Sequence, residues 1–203
     1  MCIFRVHIRL AMKKILLMLA LTSPAVSLFS QKIDLVRESV TFILDAQHVA
    51  VSAELVYKNS SASLVNQMLF VPMPLRKEGM KRDTLVVHDM TANRFIKEPR
   101  NQPAGLIFAL AFEPESQKKL RVCYTDDHNG TSFIYPLKMQ ADYWQGPLSF
   151  GSYTLKYDET VVVIDSTSMP PDSSVKEAEE TILTWKRSNF TPVREFEVWF
   201  HKK

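Results

Sequence analysis

Cysteine and glycine are scarce in this sequence, and motifs that carry chemistry are absent from it. The 203 residues include two cysteines, Cys2 and Cys123, and five glycines. There is no Cys/His set with zinc-ligand spacing and no glycine-rich phosphate loop. The glycines form no Gly-x-Ser-x-Gly elbow either. The sequence therefore points to no catalytic residue, no metal ligand and no cofactor-binding residue.

A run of apolar residues long enough to span a bilayer is also missing. The run at 15–21 is shorter than the ~20 residues that a spanning helix needs. It follows Lys13 and Lys14 and leads to small residues, which is the arrangement of a secretory signal peptide. We predict that residues 1–30 are a cleaved signal peptide, with a retained anchor as the alternative. Because Met12 begins a standard leader, it is a candidate for the true start.

Removal of the leader changes the charge and the disulfide chemistry. The leader carries four basic residues and no acidic ones, so the formal net charge of +3 falls to about −1. The charge of the mature chain therefore gives no reason to expect a nucleic-acid partner. Cys123 is the one cysteine left, so the mature chain can form no internal disulfide. We expect an exported protein, periplasmic or extracellular at the cell surface, with no transmembrane segment in the mature chain.

Alternation of apolar and polar residues dominates the mature sequence. Val40, Phe42 and Leu44 alternate with polar neighbours, and a similar run at 49–57 follows the turn at 45–47, which predicts a hairpin. A short helical turn is expected within 141–147. Repeated short strands predict an all-β protein, an antiparallel immunoglobulin-like β-sandwich of roughly nine or ten strands. We predict one domain over residues 31–203, with two smaller sandwiches as the alternative.

Individual segments carry more specific expectations. The run at 106–112 is apolar on both faces, which predicts a central strand that is covered on both sides. Asn129-Gly130 predicts a hairpin turn between the strands at 120–124 and 133–139. The polar residues 166–178 are interpreted as a loop.

Two polar clusters have a structural and a functional interpretation each. Asp126, Asp127 and His128 form a solvated turn or, in the alternative, offer donors to a metal ion. Lys118, Lys119 and Arg121 protect an edge strand or, in the alternative, bind a polyanion. In both cases we prefer the structural interpretation.

Three aromatic residues are the candidates for contact with a ligand or partner. Alternation in the last strand places Trp199 on the polar face, opposite the apolar side chains of Phe196 and Phe200. Tyr143 and Trp144 lie in the irregular segment 141–147. Each ring offers a large contact area at low entropy cost, but anchoring of a loop to the core is the interpretation that we prefer for all three.

Two stretches resemble known bacterial domains. Glu54–Asn59 followed by Met68–Pro74 resembles the opening hairpin of secreted bacterial β-sandwich domains. The stretches at 120–124, 133–137, 144–148 and 153–155 are similar to the second half of periplasmic domains without an assigned activity, of the kind exported by Bacteroidetes. The resemblance implies a secreted or periplasmic β-sandwich, and it carries over no functional residue.

These observations favour an exported, non-enzymatic protein with an interaction or structural role and a protein partner in the cell envelope. The first alternative is a small-ligand or glycan-binding module that uses Tyr143, Trp144 or Trp199. The second is an enzyme, such as a hydrolase, whose site is assembled from dispersed residues. The latter requires that at least two of the scattered histidines meet a carboxylate within hydrogen-bond distance; these are His48, His88, His128 and His201.

The leader prediction can be checked on the native protein. We expect intact-mass spectrometry of the envelope fraction to find a chain that begins at Leu28 or Gln31, because the cleavage site follows small residues at Ser27 or Ser30. A cytosolic chain that begins at Met1 or Met12 would contradict the prediction.

Overall fold

The computed structural model describes residues 33–75, 82–97, 99–128, 130–144 and 146–203, which belong to one compact unit, Gln31–Lys203. The predicted leader, residues 1–30, lies outside the described residues. The described residues contain fourteen strands and one helix. In chain order these are β1 Ile33–Leu44, β2 His48–Asn59, β3 Val65–Pro72, β4 Arg82–Asp89, β5 Arg94–Phe95, β6 Arg100–Gln102, β7 Gly105–Phe112, β8 Gln117–Asp127, β9 Ser132–Tyr135, α1 Leu137–Trp144, β10 Leu148–Asp158, β11 Val162–Thr167, β12 Ser173–Glu177, β13 Glu180–Phe190 and β14 Phe196–Lys202.

One large sheet forms one layer of the fold. Its eight strands follow the order β12-β13-β10-β1-β2-β8-β4-β5. The predicted hairpin is confirmed, because β1 and β2 pair antiparallel with Phe42 opposite Val51. Apolar side chains at every second position of these strands are buried, since successive side chains of a strand point to opposite faces.

Two three-stranded sheets, β3-β7-β6 and β11-β14-β9, cover the inner face of the large sheet. Phe42 on β1 stacks on Phe196 of β14, with ring centroids 5.1 Å apart. Tyr57 on β2 meets Phe112 of β7 edge-on at 6.3 Å. All three sheets contribute to one hydrophobic core, so the protein is an all-β sandwich of one large and two small sheets.

Three features differ from the immunoglobulin-like expectation. The described chain has fourteen strands instead of nine or ten, and they form three sheets. The pairing is not purely antiparallel, because β1 and β10 run parallel with Phe42 beside Leu155. Local alternation locates strands, but it carries no information on a partner more than one hundred residues away.

The predicted hairpin between the strands at 120–124 and 133–139 is wrong, although Asn129 of the predicted turn itself lies outside the described residues. The strand before it, β8, pairs with β2 and β4 in the large sheet, whereas β9 pairs with β14 in a small sheet. Gly130 has a φ of 82°, which suits glycine, but the strands before and after it belong to different layers. The strand predicted at 133–139 also ends early, at Tyr135.

Other segment predictions are corrected or confirmed by the pairing. The predicted loop at 166–178 contains strand β12, which forms the fully exposed edge of the large sheet beside β13. The run at 106–112 is confirmed as a central strand, because β7 lies between β3 and β6. Its outer face is not covered as predicted, since Ala109 and Ala111 are exposed.

The basic cluster on β8 does not protect an edge, because β8 lies between β2 and β4. Lys118 instead pairs with the buried Asp89 at 3.1 Å. Lys119 and Arg121 both pair with Glu54, each at 2.5 Å. The cluster therefore balances acidic groups of neighbouring strands.

The helix α1 lies against sheet β3-β7-β6 and the large sheet. Leu137, Gln140, Ala141 and Trp144 form its buried side at helical spacing. Trp144 packs against Tyr57 with centroids 4.9 Å apart, and Tyr143 packs against Phe70. No helix in the described part of the chain has the length and apolar character needed to cross a membrane.

Gly151 on β10 provides a test of the packing. A Cβ atom there would lie 2.7 Å from the Phe190 ring and 2.8 Å from the Tyr153 hydroxyl, whereas at Gly146 the nearest atom is 3.9 Å away. We expect Gly151→Ala to lower the free energy of unfolding by about 1–3 kcal/mol through overpacking. Gly146→Ala should change it little. Chemical denaturation measures both, and equal effects would contradict the prediction.

Candidate functional site

A pocket of about 310 Å³ opens between the large sheet and the segments that follow β3 and β8. Side chains of β1, β2 and β8 form its floor, and β9, the start of α1 and the end of the β3 segment form its walls. Most of the lining is apolar or aromatic. The lining residues are Phe42, Val49, Val51, Met73, Pro74, Leu75, Tyr124, Asp126, Asp127, His128, Ser132, Phe133, Ile134, Tyr135, Pro136, Met139 and Glu195.

A buried ion pair fixes one wall of the pocket. Arg82 Nε and Nη2 donate to the two carboxylate oxygens of Asp126 at 2.6 and 2.7 Å. Nη2 also donates to the Pro74 carbonyl at 3.0 Å, and Nη1 contacts the Met73 sulfur at 3.4 Å. The guanidinium lies over the Tyr124 ring, 5.0 Å from its centroid. Arg82 thus ties the segment after β3 to β8, because a bidentate pair fixes both position and orientation.

A buried carboxylate lies beneath the aromatic side of the pocket. Glu38 on β1 is 1% exposed. Tyr135 Oη donates to its Oε1 at 2.5 Å, and Tyr153 Oη donates to its Oε2 at 2.9 Å. Gln140 of α1 donates to the Tyr135 hydroxyl at 2.8 Å. This network joins the large sheet, sheet β11-β14-β9 and the helix through one side chain.

Burial raises the pKa of Glu38 above its ordinary value, and the hydrogen bonds from Tyr135, Tyr153 and Gln140 offset part of that rise. The hydroxyl pKa of Tyr135 is also raised, by burial first and then by the nearby carboxylate. Burial and the same carboxylate raise the pKa of the Tyr153 hydroxyl too, so both phenols remain protonated near neutral pH. The network holds the layers together and shapes the aromatic wall that Tyr135 gives the pocket.

Two further polar residues lie at the pocket. His128 accepts from Gly130 N at Nδ1 and has Nε2 3.0 Å from the Asp45 carbonyl, which fits a neutral ring with the proton on Nε2. Burial lowers the pKa of His128, which also favours the neutral form. Glu195 accepts from Lys138 N at 2.8 Å and caps α1, and burial raises its pKa.

The structure separates the three aromatic residues singled out in the sequence. Trp144 is buried at 8% exposure, so it anchors α1 to the core and offers no contact surface. Tyr143 and Trp199 are 42% and 37% exposed. Trp199 lies on β14 between Ser166 and Ser132 rather than under a loop. None of the three lines the pocket.

Among the four dispersed histidines, one meets a carboxylate at a good hydrogen-bond distance, whereas the enzyme alternative requires at least two. His201 Nδ1 lies 2.8 Å from Asp165, in an exposed pair. His48 lies 3.5 Å from Asp45 and 3.6 Å from Asp127, both longer than a good hydrogen bond. His88 contacts the Met90 sulfur. Such contacts are typical of histidines at the surface and in turns.

The Asp126, Asp127 and His128 cluster is not a solvated turn. Asp127 ends strand β8, and Asp126 is buried against Arg82. Over the described ranges, no group of three or more His, Cys, Asp or Glu side chains is placed to hold a metal ion. Cys123 is a free thiol that lies 3.5 Å from the Ser52 hydroxyl on the outer side of β8.

Sequence reasoning missed Glu38, Arg82 and the role of Asp126. Period-two spacing was the available signal for the two acids. Glu38 precedes Val40 and Phe42 by even steps, and Asp126 follows Val122 and Tyr124 in the same way. Each acid therefore falls on the buried face of its strand.

Comparison with known proteins adds information on the fold. No family model and no curated protein matches the sequence. A Legionella pneumophila structure, titled a candidate nutrient binding protein, is similar with a TM-score of 0.65 and 13% identity, over 84% of this chain and 68% of that one. An M1 zinc metallopeptidase from Deinococcus radiodurans gives a TM-score of 0.47 and 10% identity, and this chain covers 42% of it. The first likeness establishes a shared all-β fold.

Replacement of Glu38 by glutamine tests the buried network. A raised folded-state pKa contributes stability that is present below the unfolded pKa of about 4.3 and is lost as the pH rises through the folded pKa. Glutamine cannot ionise, so the unfolding free energy of Glu38→Gln minus that of the unmodified protein should increase as the pH is raised above about 4.

Glu54 supplies a control of opposite sign. Burial would raise its pKa, but the hydrogen bonds and charges of Lys119 and Arg121 outweigh that effect and lower it. The unfolding free energy of Glu54→Gln minus that of the unmodified protein should therefore decrease with rising pH, until Glu54 is ionised in both the folded and the unfolded chain. Urea denaturation at several pH values measures both differences. Parallel pH trends for the two variants would refute the account of Glu38.

Proposed function

We propose that this chain is an exported, non-enzymatic binding module whose pocket holds a small, mainly apolar ligand. The observation that carries the proposal is the pocket between the large sheet and β9, with its aromatic and aliphatic lining. Its volume of about 310 Å³ lies at the lower end of ligand sites, which span roughly 300–1,000 Å³. Few polar groups and many apolar ones are typical of small-molecule sites.

Rigid support of the pocket favours this proposal. Arg82 holds the wall formed by Met73 and Pro74, and Glu38 holds the ring of Tyr135. Side chains that are locked by their neighbours bind a ligand with a smaller loss of conformational entropy. The residues nearest the pocket are thus organised before a ligand arrives.

The chemistry of three polar groups of the lining favours binding over catalysis. Asp126 is engaged by Arg82, Glu195 caps α1, and both ring nitrogens of His128 have hydrogen-bond contacts with the backbone. A general base needs a lone pair directed at the substrate, whereas these groups are directed at the protein. The Legionella pneumophila neighbour is titled a candidate nutrient binding protein, and a binding role in this chain is in keeping with that title.

Export remains part of the proposal and rests on the leader at residues 1–30. An exported module of this kind would meet its ligand in the periplasm or at the cell surface. A protein partner in the cell envelope fits the same location.

Fluorescence titration with N-phenyl-1-naphthylamine, a small neutral apolar probe, tests the pocket. Met139 of α1 lines the pocket, whereas Asp142 of the same helix is exposed outside it. We expect the unmodified protein to enhance the probe's fluorescence with saturation. Met139→Trp fills the pocket and should weaken binding at least about tenfold, a loss of ~1.4 kcal/mol.

Asp142→Trp is the matched control, since it adds the same ring to the same helix. It should leave probe affinity within about twofold of the unmodified protein. Far-ultraviolet circular dichroism checks that both variants keep their strand content. Absence of saturable binding by the unmodified protein, or equal affinity of the two tryptophan variants, would refute the proposed site.

A further inference from the structure

The outer face of sheet β3-β7-β6 is apolar although it lies away from the core. Its neighbouring side chains are Phe70 beside Ile107 and Met68 beside Ala109. Met68 is 50% exposed, and Ala109 is also exposed. Sequence alternation predicts a cover on this side of β7, because a strand that is apolar on both faces normally meets protein on both. Within the described chain, Tyr143 contacts this face at Phe70.

The two ends of this outer face differ in size and in charge. At one end lie the bulky Phe70 and Ile107, with Arg100 of β6 opposite Ile107. At the other end lie Asn66 and the small Ala111. Glu113, which directly follows β7, is exposed at that second end.

Neither charge at the ends is paired in the described chain. The side chains of Arg100 and Glu113 are exposed and take part in no ion pair among the described residues. The remaining residues of the face are uncharged. The face is therefore an apolar strip with a positive end and a negative end.

We propose that this outer face is the interface between two copies of the chain, related by a two-fold axis that reverses the strand direction. That rotation places the bulky end of one copy on the small end of the other. It brings Phe70 and Ile107 opposite Asn66 and Ala111 of the second copy, and it places Arg100 near Glu113. A two-fold interface must be self-complementary in shape and charge, and the strip meets both requirements.

The dimensions of the strip set the strength of the dimer. Strands of eight residues are about 26 Å long, and neighbouring strands lie ~4.8 Å apart. A face of this length and two to three strands in width presents about 300–400 Å², roughly half of the ~800 Å² that each partner buries in a standard interface. The dimer should accordingly be a weak one, with a Kd of about 100 µM.

Sedimentation velocity of the purified full chain tests the interface. We expect a reversible monomer–dimer equilibrium at concentrations up to about 200 µM. Met68→Glu places a charge in the centre of the strip and should give a monomer at every concentration, because the charge would lie against its own symmetry mate. Val175→Glu is the matched control, since Val175 is similarly exposed but lies on β12 at the far edge of the large sheet.

A charge exchange then tests the orientation of the two copies. Arg100→Glu or Glu113→Arg alone should weaken the dimer at least about threefold, and the double variant should restore it. Far-ultraviolet circular dichroism confirms that each variant is folded. A monomer at 200 µM, a dimer that tolerates Met68→Glu, or a double variant weaker than both single variants would overturn the proposal.

Discussion

The structure depends on how one large sheet is covered by two small ones. The inner face of the eight-stranded sheet carries the core, but each covering sheet has three strands and spans a part of it. The two covering sheets meet the large sheet through separate aromatic contacts, Phe42 with Phe196 and Tyr57 with Phe112. Apolar side chains of the inner face that neither small sheet covers have to pack against another part of the chain, because apolar surface in contact with water is costly.

The helix α1 covers a part of the large sheet, and the candidate pocket lies beside that helix. Trp144 of α1 packs on Tyr57, while Met139 of the same helix lines the pocket. The pocket is also lined by Met73, which directly follows β3, and by Phe133 of β9. Strands β3 and β9 belong to different covering sheets. The site therefore arises where the cover is incomplete. Its polar supports connect separate segments of the chain, since Glu38 of β1 accepts from Tyr135 of β9 and Arg82 donates to Asp126 of β8.

Much of the local structure could be predicted from the sequence, and the predictions that failed did so for physical reasons. Alternation correctly identified the β1–β2 hairpin, the central strand β7 and the last strand β14. It failed at Asn129-Gly130, since a turn that suits a hairpin also suits a crossing between layers. Glu38 and Asp126 could have been placed on buried faces by the same spacing. Their partners Tyr135 and Arg82 could not, because hydrogen bonds across 97 and 44 residues leave no local pattern.

The sequence alone determined which side of each strand is buried, and tertiary structure decided which strands meet. Cβ atoms alternate along any strand, so the buried side of β1 follows from Val40 and Phe42 wherever that strand lies. The parallel pairing of β1 with β10 brings Phe42 beside Leu155, and this depends on chain closure over more than one hundred residues. The pocket is a product of such long-range packing. For that reason the residues that line the pocket could not be predicted from the sequence, whereas most of the strands that supply them could.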